Sequence, residues 1–206
     1  MLIPKEVVAG IPFVAATEEK RYAIHGVQIT RTGETTARAV ATDGKALLVA
    51  DWNDGGLDGY KPDGDHANLD TEVLIPSKEM RKARTLAGNG TALHLEEGDI
   101  NGTARLTGVK GYDRTRGIVE IPTLEGTFPD YEEIISKEPQ GFKVNVGAGV
   151  LGNLLKAIQE TTGHKDATVT LTFGKDAMYA VRVDVVERNN GDVKVHGVFM
   201  PVSMPE

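Results

Sequence analysis

The chain has 206 residues, 40% hydrophobic and 26% charged, with no cysteine. That is enough chain for one large domain or two small ones with a proper apolar core, and it excludes disulfides, thiolate metal sites and cysteine nucleophiles. The net charge of −7 does not exclude a nucleic-acid partner, because phosphate binding needs only a local basic face. The opening MLIPKEVVAG lacks an apolar core of signal-peptide length, and no run approaches a membrane span. With no thiols to staple, a cytoplasmic location is expected.

Taken in order, the chain shows a repeat. Residues 2–8 read LIPKEVV and residues 74–80 read LIPSKEM, each a short apolar strand ended by proline and followed by a helix start. Pro4 and Pro76 suit a strand edge or a first helical turn, where no amide donor is missed. The first unit predicts a helix over 5–17, with Pro12 kinking or stopping it, and strands over 22–30, 37–41 and 46–52. Between the last two lies Thr42-Asp43-Gly44-Lys45. An Asp-Gly pair between apolar runs marks a tight hairpin, since glycine accepts positive φ at no steric cost.

The second unit predicts a helix over 77–87, with Ser77 at the cap position and Gly88 closing it, then strands over 92–96, 103–109 and 116–121. A third pass predicts a strand over 142–146 and a helix over 149–162 ended by Gly163. In that helix Val150, Leu151, Leu154, Leu155 and Ile158 fall at helical spacing. Strands over 167–173, 178–186 and 193–202 follow, with Asn189-Asn190-Gly191 making the last turn. A β-α-β-β-β unit used three times, about every seventy residues, is the main structural expectation. It sets domain bounds of 1–122 (units 1–52 and 71–122 joined by the Gly/Asp-rich loop 53–70), a linker over 123–139, and a last unit over 140–206.

No catalytic constellation emerges. His25, His66, His94, His164 and His196 are scattered without HExxH spacing, and His94 and His196 read as strand-face or surface residues. Ser77, Ser136 and Ser203 lack a nucleophile elbow. Glu132 and Glu133 are adjacent, so on an extended chain they point oppositely. Asp54, Asp58, Asp63 and Asp65 do not match an EF-hand, and 147–152 (GAGVLG) lacks both a Walker lysine and GxGxxG spacing. No enzyme, metal or cofactor is expected.

The cations are more telling. The helix over 77–87 carries Lys78, Arg81, Lys82 and Arg84 against one Glu79, leaving Met80, Ala83, Leu86 and Ala87 to face a sheet. The other helices add Lys5, Lys20, Arg21, Lys156 and Lys165, diluted by Glu18, Glu19 and Glu160.

Three motifs carry a resemblance. The ATDG hairpin at 41–44, the segment with Gly126, Phe128, Pro129, Asp130, Tyr131 and Ile134, and the terminal Val198-Phe199-Met200-Pro201-Val202 stand in the order found in the bacterial DNA polymerase III β subunit, or sliding clamp, family. The chain resembles its middle domain followed by half of its last, three units where the family has six. The resemblance implies an α+β DNA-clamp fold, with antiparallel sheets outside and helices lining the inner face. It implies a non-catalytic processivity factor that encircles duplex DNA without sequence preference, through Lys78, Arg81, Lys82, Arg84, Lys20, Arg21 and Lys156. It further implies a pocket for polymerase or repair-protein peptide motifs at Thr42, Gly44, Leu47, Pro129, Ile134, Val198 and Met200. The family ring has twelve units, so three per chain implies a homotetramer. The alternative is a clamp-fold interaction module, accessory or decoy, that does not encircle DNA.

Overall fold

A computed structural model describes residues 1–17, 23–53, 72–87, 92–110, 113–136, 143–163, 165–175, 179–186 and 195–202. The chain divides into two compact units, Met1–Glu132 and Glu133–Glu206.

In the first unit β1 (Leu2–Pro4) leads into α1 (Lys5–Gly10). Pro12 then forces a 3-10 turn over Ile11–Phe13. The helix expected over 5–17 is therefore much shorter, because proline offers no amide to continue it. Strands β2 (Gly26–Arg31), β3 (Thr36–Thr42) and β4 (Leu47–Asn53) follow. The second repeat supplies β5 (Val73–Pro76), α2 (Ser77–Ala87), β6 (Ala92–Glu97), β7 (Thr103–Lys110) and β8 (Asp113–Pro122). The strand expected over 116–121 begins three residues earlier, past an irregularity in the β7–β8 ladder between Thr107 and Val109.

The two repeats are interleaved. The sheets run β4-β3-β2-β5 and β1-β6-β7-β8, so each repeat's first strand completes the other repeat's sheet. Ile75 pairs with Val27 and Ile3 with Leu93, all antiparallel. One core serves both sheets: Ile3, Val8, Ile29, Ile75, Met80, Leu93, Leu95 and Leu106 pack together, fully buried, with α1 beside α2. Trp52 adds a tie, its indole N–H donating to the Leu2 carbonyl at 2.7 Å. Neither repeat can close its core without the other's strand.

The second unit holds the end of α3 (Glu132–Ser136), then α4 (Ala148–Thr162), β9 (Val169–Thr172), β10 (Val181–Val185) and β11 (His196–Phe199) in one sheet ordered β11-β10-β9. Gly163 ends α4 with φ of 68°, the left-handed cap that glycine alone takes without strain. Residues 143–147 form no strand, contrary to the expectation over 142–146. A β-strand needs a neighbouring strand to satisfy its amides, and none is paired with this segment among the described residues. The turn at 189–191, the loop 54–70 and Gly88 lie outside the described residues.

Candidate functional site

The β3–β4 hairpin is held by side chains as much as by its ladder. Gly44 takes φ of 87°. The Asp43 carboxylate accepts the amides of Lys45 and Ala46, each at 2.8 Å, and those two bonds, Ala46 first, draw its pKa below the usual range. The Thr42 hydroxyl donates to the Ala46 carbonyl at 2.6 Å and accepts the Gly44 amide at 3.0 Å. The turn thus spans 43–46, four residues, a little wider than a two-residue Asp-Gly turn.

Leu47, where β4 begins, packs into a second cluster built on Val40, Leu74, Phe128 and Tyr131. This is where the hairpin meets the FPDY segment. The rings of Phe128 and Tyr131 stand edge to face, centroids 6.1 Å apart at 78°. Both are buried, while Pro129 and Gly44 are exposed and Leu47 half-buried. Gly126, with φ of 130°, turns the chain into this segment, and the Leu124 amide anchors its start on the Leu74 carbonyl at 2.7 Å.

A latch missing from the sequence reading secures the segment. Arg38 on β3 donates through Nε to Asp51 Oδ1 and through Nη1 to Glu132 Oε1, both at 2.6 Å. The Asp51 hydrogen bond, more than any other cause, holds the guanidinium protonated even more firmly than usual. The Tyr131 hydroxyl beside it further favours the charged guanidinium. Burial raises the Tyr131 pKa despite that cation. The signal for the pair was present: a turn at 43–46 sets Arg38 opposite Asp51 in the β3–β4 register.

The remaining candidate peptide residues lie in the other unit. Val198 on β11 and Met200 just beyond it are 57% and 62% exposed. Ile134 lies on α3.

On α2, Met80 and Ala83 are buried and Leu86 is partly buried against the same core, as the spacing predicts. Lys78, Arg81, Lys82 and Arg84 are all exposed. Two of them are already engaged. Arg81 donates to the Pro12 carbonyl at 2.7 Å and lies over the Phe13 ring at 5.2 Å, and Lys82 pairs with Glu79 at 2.7 Å. Lys5 on α1, Lys156 on α4 and Lys165 in the turn after α4 are exposed, and Lys20 and Arg21 lie outside the described residues. His94 is a strand-face residue but not a surface one. Its Nδ1 sits 2.6 Å from the Glu96 carboxylate, with both side chains 5% exposed. No helix among the described residues is long and apolar enough to cross a membrane.

This arrangement, paired β-α-β-β-β repeats with a side-chain-locked DG hairpin seated on an FPDY segment, defines the DNA-clamp fold. Solved β subunits share it. The clamp of Caulobacter crescentus matches with a TM-score of 0.67 at 20% identity, covering 98% of this chain and 50% of that one. The β subunit of Streptococcus pyogenes matches at 0.68 and 18% identity, again over 98% and 50%. Sequence agrees: the Beta sliding clamp of Caulobacter vibrioides is 30% identical over 135 residues, 61% of this chain and 30% of that protein. No protein-family model matches the chain. The chain is similar to the bacterial β sliding clamps, in fold over nearly all of its length and in sequence over 61% of it. It spans about half the length of the solved clamps and less than a third of the curated ones it matches.

Proposed function

We propose that the protein works as a non-catalytic, sliding-clamp-type processivity factor, tethering a polymerase or other DNA enzyme to duplex DNA. The observation that carries this reading is the hairpin–linker assembly. Leu47 packs against the buried pair Phe128 and Tyr131, and with Thr42, Gly44 and Pro129 it is the proposed contact surface for a short apolar peptide. Ile134, Val198 and Met200 are the further proposed peptide contacts. A clamp from Bartonella birtlesii, similar to this chain at 20% identity and a TM-score of 0.63, has been solved bound to griselimycin.

Lys78, Arg81, Lys82 and Arg84, with Lys20, Arg21 and Lys156, are the proposed phosphate contacts. They would hold DNA by charge alone, so the protein could slide. With three units per chain, a closed twelve-unit ring would need four chains.

The experiment is retention on nicked circular DNA against the same DNA linearised, across a salt series. Topological tethering is expected to show as loss of retention on linearisation. Combined Lys78→Glu, Lys82→Glu and Arg84→Glu should flatten the logarithmic salt slope by about three for each chain in contact with DNA. Equal retention of circle and line, with no change in the variant, would sink the tethering reading.

A second reading, a clamp-fold module that binds peptides without encircling DNA, draws support from the intramolecular ties of Arg81 and Lys82, which weaken the basic face. It predicts that Leu47→Asp abolishes binding of a fluorescein-labelled polymerase peptide while DNA retention is absent throughout.

A further inference from the structure

We infer that the third repeat is completed by the third repeat of a second copy of this chain, the two exchanging the segment 143–147 about a two-fold axis. The first unit shows how such repeats close. Two residues before each helix stand Ile3, Ile75 and Val146. Ile3 and Ile75 are fully buried because each inserts beside the other repeat's first post-helix strand. Val146, in the same position, is 37% exposed.

The strand that should receive it is also incomplete. Among the described residues β9 is an edge of its sheet, with β10 on one side only. The Thr168 carbonyl accepts the Val186 amide at 2.8 Å. By the alternation of an antiparallel ladder, Thr170 and Thr172 then bond to β10, and Val169 and Leu171 present their amides and carbonyls outward. Val169 packs into the small core of Ile158, Val181, Val183 and Phe199, as Val27 and Leu93 pack into theirs. Register carried over from the first unit places Val146 of one copy beside Val169 of the other, and Val144 beside Leu171.

The helices repeat the pattern. Four residues past each helix start, α2 has Arg81, which reaches the other repeat at Pro12 and Phe13, and α4 has Gly152. Gly152, Leu155, Lys156 and Gln159 line an open groove along α4, with Glu160 beside them. In α4 only Ile158 is buried. Gly152 leaves room in this groove for a second α4, and its charged lining is Lys156, Glu160 and Lys165. Lys156 and Glu160 share the face, and an antiparallel two-fold presents each to its opposite. Net charge does not oppose self-association either, since residues 133–206 carry 8 Lys and Arg against 9 Asp and Glu, a difference of −1. A lone repeat cannot bury its own apolar face.

The inference rests on the repeat and stands apart from the DNA reading. A pair formed this way could also serve as half of a four-chain ring.

The test is native mass of the full chain over a wide concentration range, for wild type, Leu155→Asp and Leu171→Pro, with circular dichroism confirming fold. The proline removes one outward amide and no β10 bond. An assembly of two chains, or a multiple of two, is expected, against 22.1 kDa for one chain, with at least one substitution halving the mass. Because the chain has no cysteine, a Val146→Cys/Val169→Cys double variant reports the exchange directly. On oxidation it should link two copies, and neither single variant should link them in that register with comparable yield. A chain monomeric at every concentration, or an assembly whose mass neither substitution changes, overturns the proposal. Loss of DNA retention with the paired mass intact would remove only the tethering function.

Discussion

Arg38 is the residue on which the candidate peptide face depends most. It joins β3, β4 and the FPDY segment through Asp51, Glu132 and Tyr131. Its two carboxylate partners are more than half exposed, so each ion pair contributes no more than about 1 kcal/mol. Arg38→Ala is therefore expected to lower stability by about 1–2 kcal/mol in urea titration, and to weaken peptide capture more than that loss explains, by freeing the segment under Pro129. Asp43 gives a pH signature. Its carboxylate has a depressed pKa in the folded hairpin, so its contribution is present above the unfolded value of about 3.9 and is lost as pH falls through the lower folded value. Protection of the Lys45 and Ala46 amides, measured against their intrinsic exchange rates, should fall as pH drops through the depressed folded value of Asp43, and Asp43→Asn should remove that dependence. Glu96 differs because it is buried beside His94. Glu96→Ala strips the imidazole of a buried partner and should cost about 3 kcal/mol, read as a fall in the urea midpoint.

At the scale of elements, α2 and α4 show what one amphipathic pattern does in two settings. Met80 and Ala83 of α2 reach a core shared by two sheets and are buried, while Leu151, Leu154 and Leu155 of α4 remain only partly so. Ile75→Ala on β5 removes a fully buried side chain from the strand that crosses between repeats, and should cost about 2–5 kcal/mol. Gly163→Ala places a Cβ at positive φ in open space. It should cost about 1 kcal/mol through backbone strain alone, and thermal denaturation would measure it. The short α1 was half legible. Pro12 announced a stop, but periodicity alone carried the helix on to residue 17, because the turn over Ile11–Phe13 still buries Ile11 and Pro12.

For the whole molecule, the interleaved strands make Met1–Glu132 one cooperative body, while Glu133–Glu206 has its own core, with Ile158, Val181, Val183 and Phe199 buried among the described residues. Two calorimetric transitions are expected, with Ile75→Ala lowering only the one belonging to the first unit. If the third repeat is shared between copies, the second transition should rise with protein concentration, and the first should not.

Local chemistry was enough to place most of this. Prolines after apolar triplets, the Asp-Gly turn, the glycine closing α4 and the helical spacing of Met80 and Ala83 act within a few residues of sequence, so a linear reading finds them. The repeat was legible for the same reason. The partners of each first strand were not, since LIP at 2–4 and LIP at 74–76 look alike whether each stays in its own repeat or crosses to the other. Crossing was decided by which sheet edge each could complete while burying Ile3 or Ile75. Arg38 stayed hidden because its third partner, Glu132, is distant in sequence. Residues 143–147 read as a strand by alternation, yet a strand exists only beside an edge that satisfies its amides. Sequence by itself determined the unit and its turns. Only the tertiary structure decided which edges those units share, because backbone hydrogen bonds between strands are indifferent to the residues that carry them.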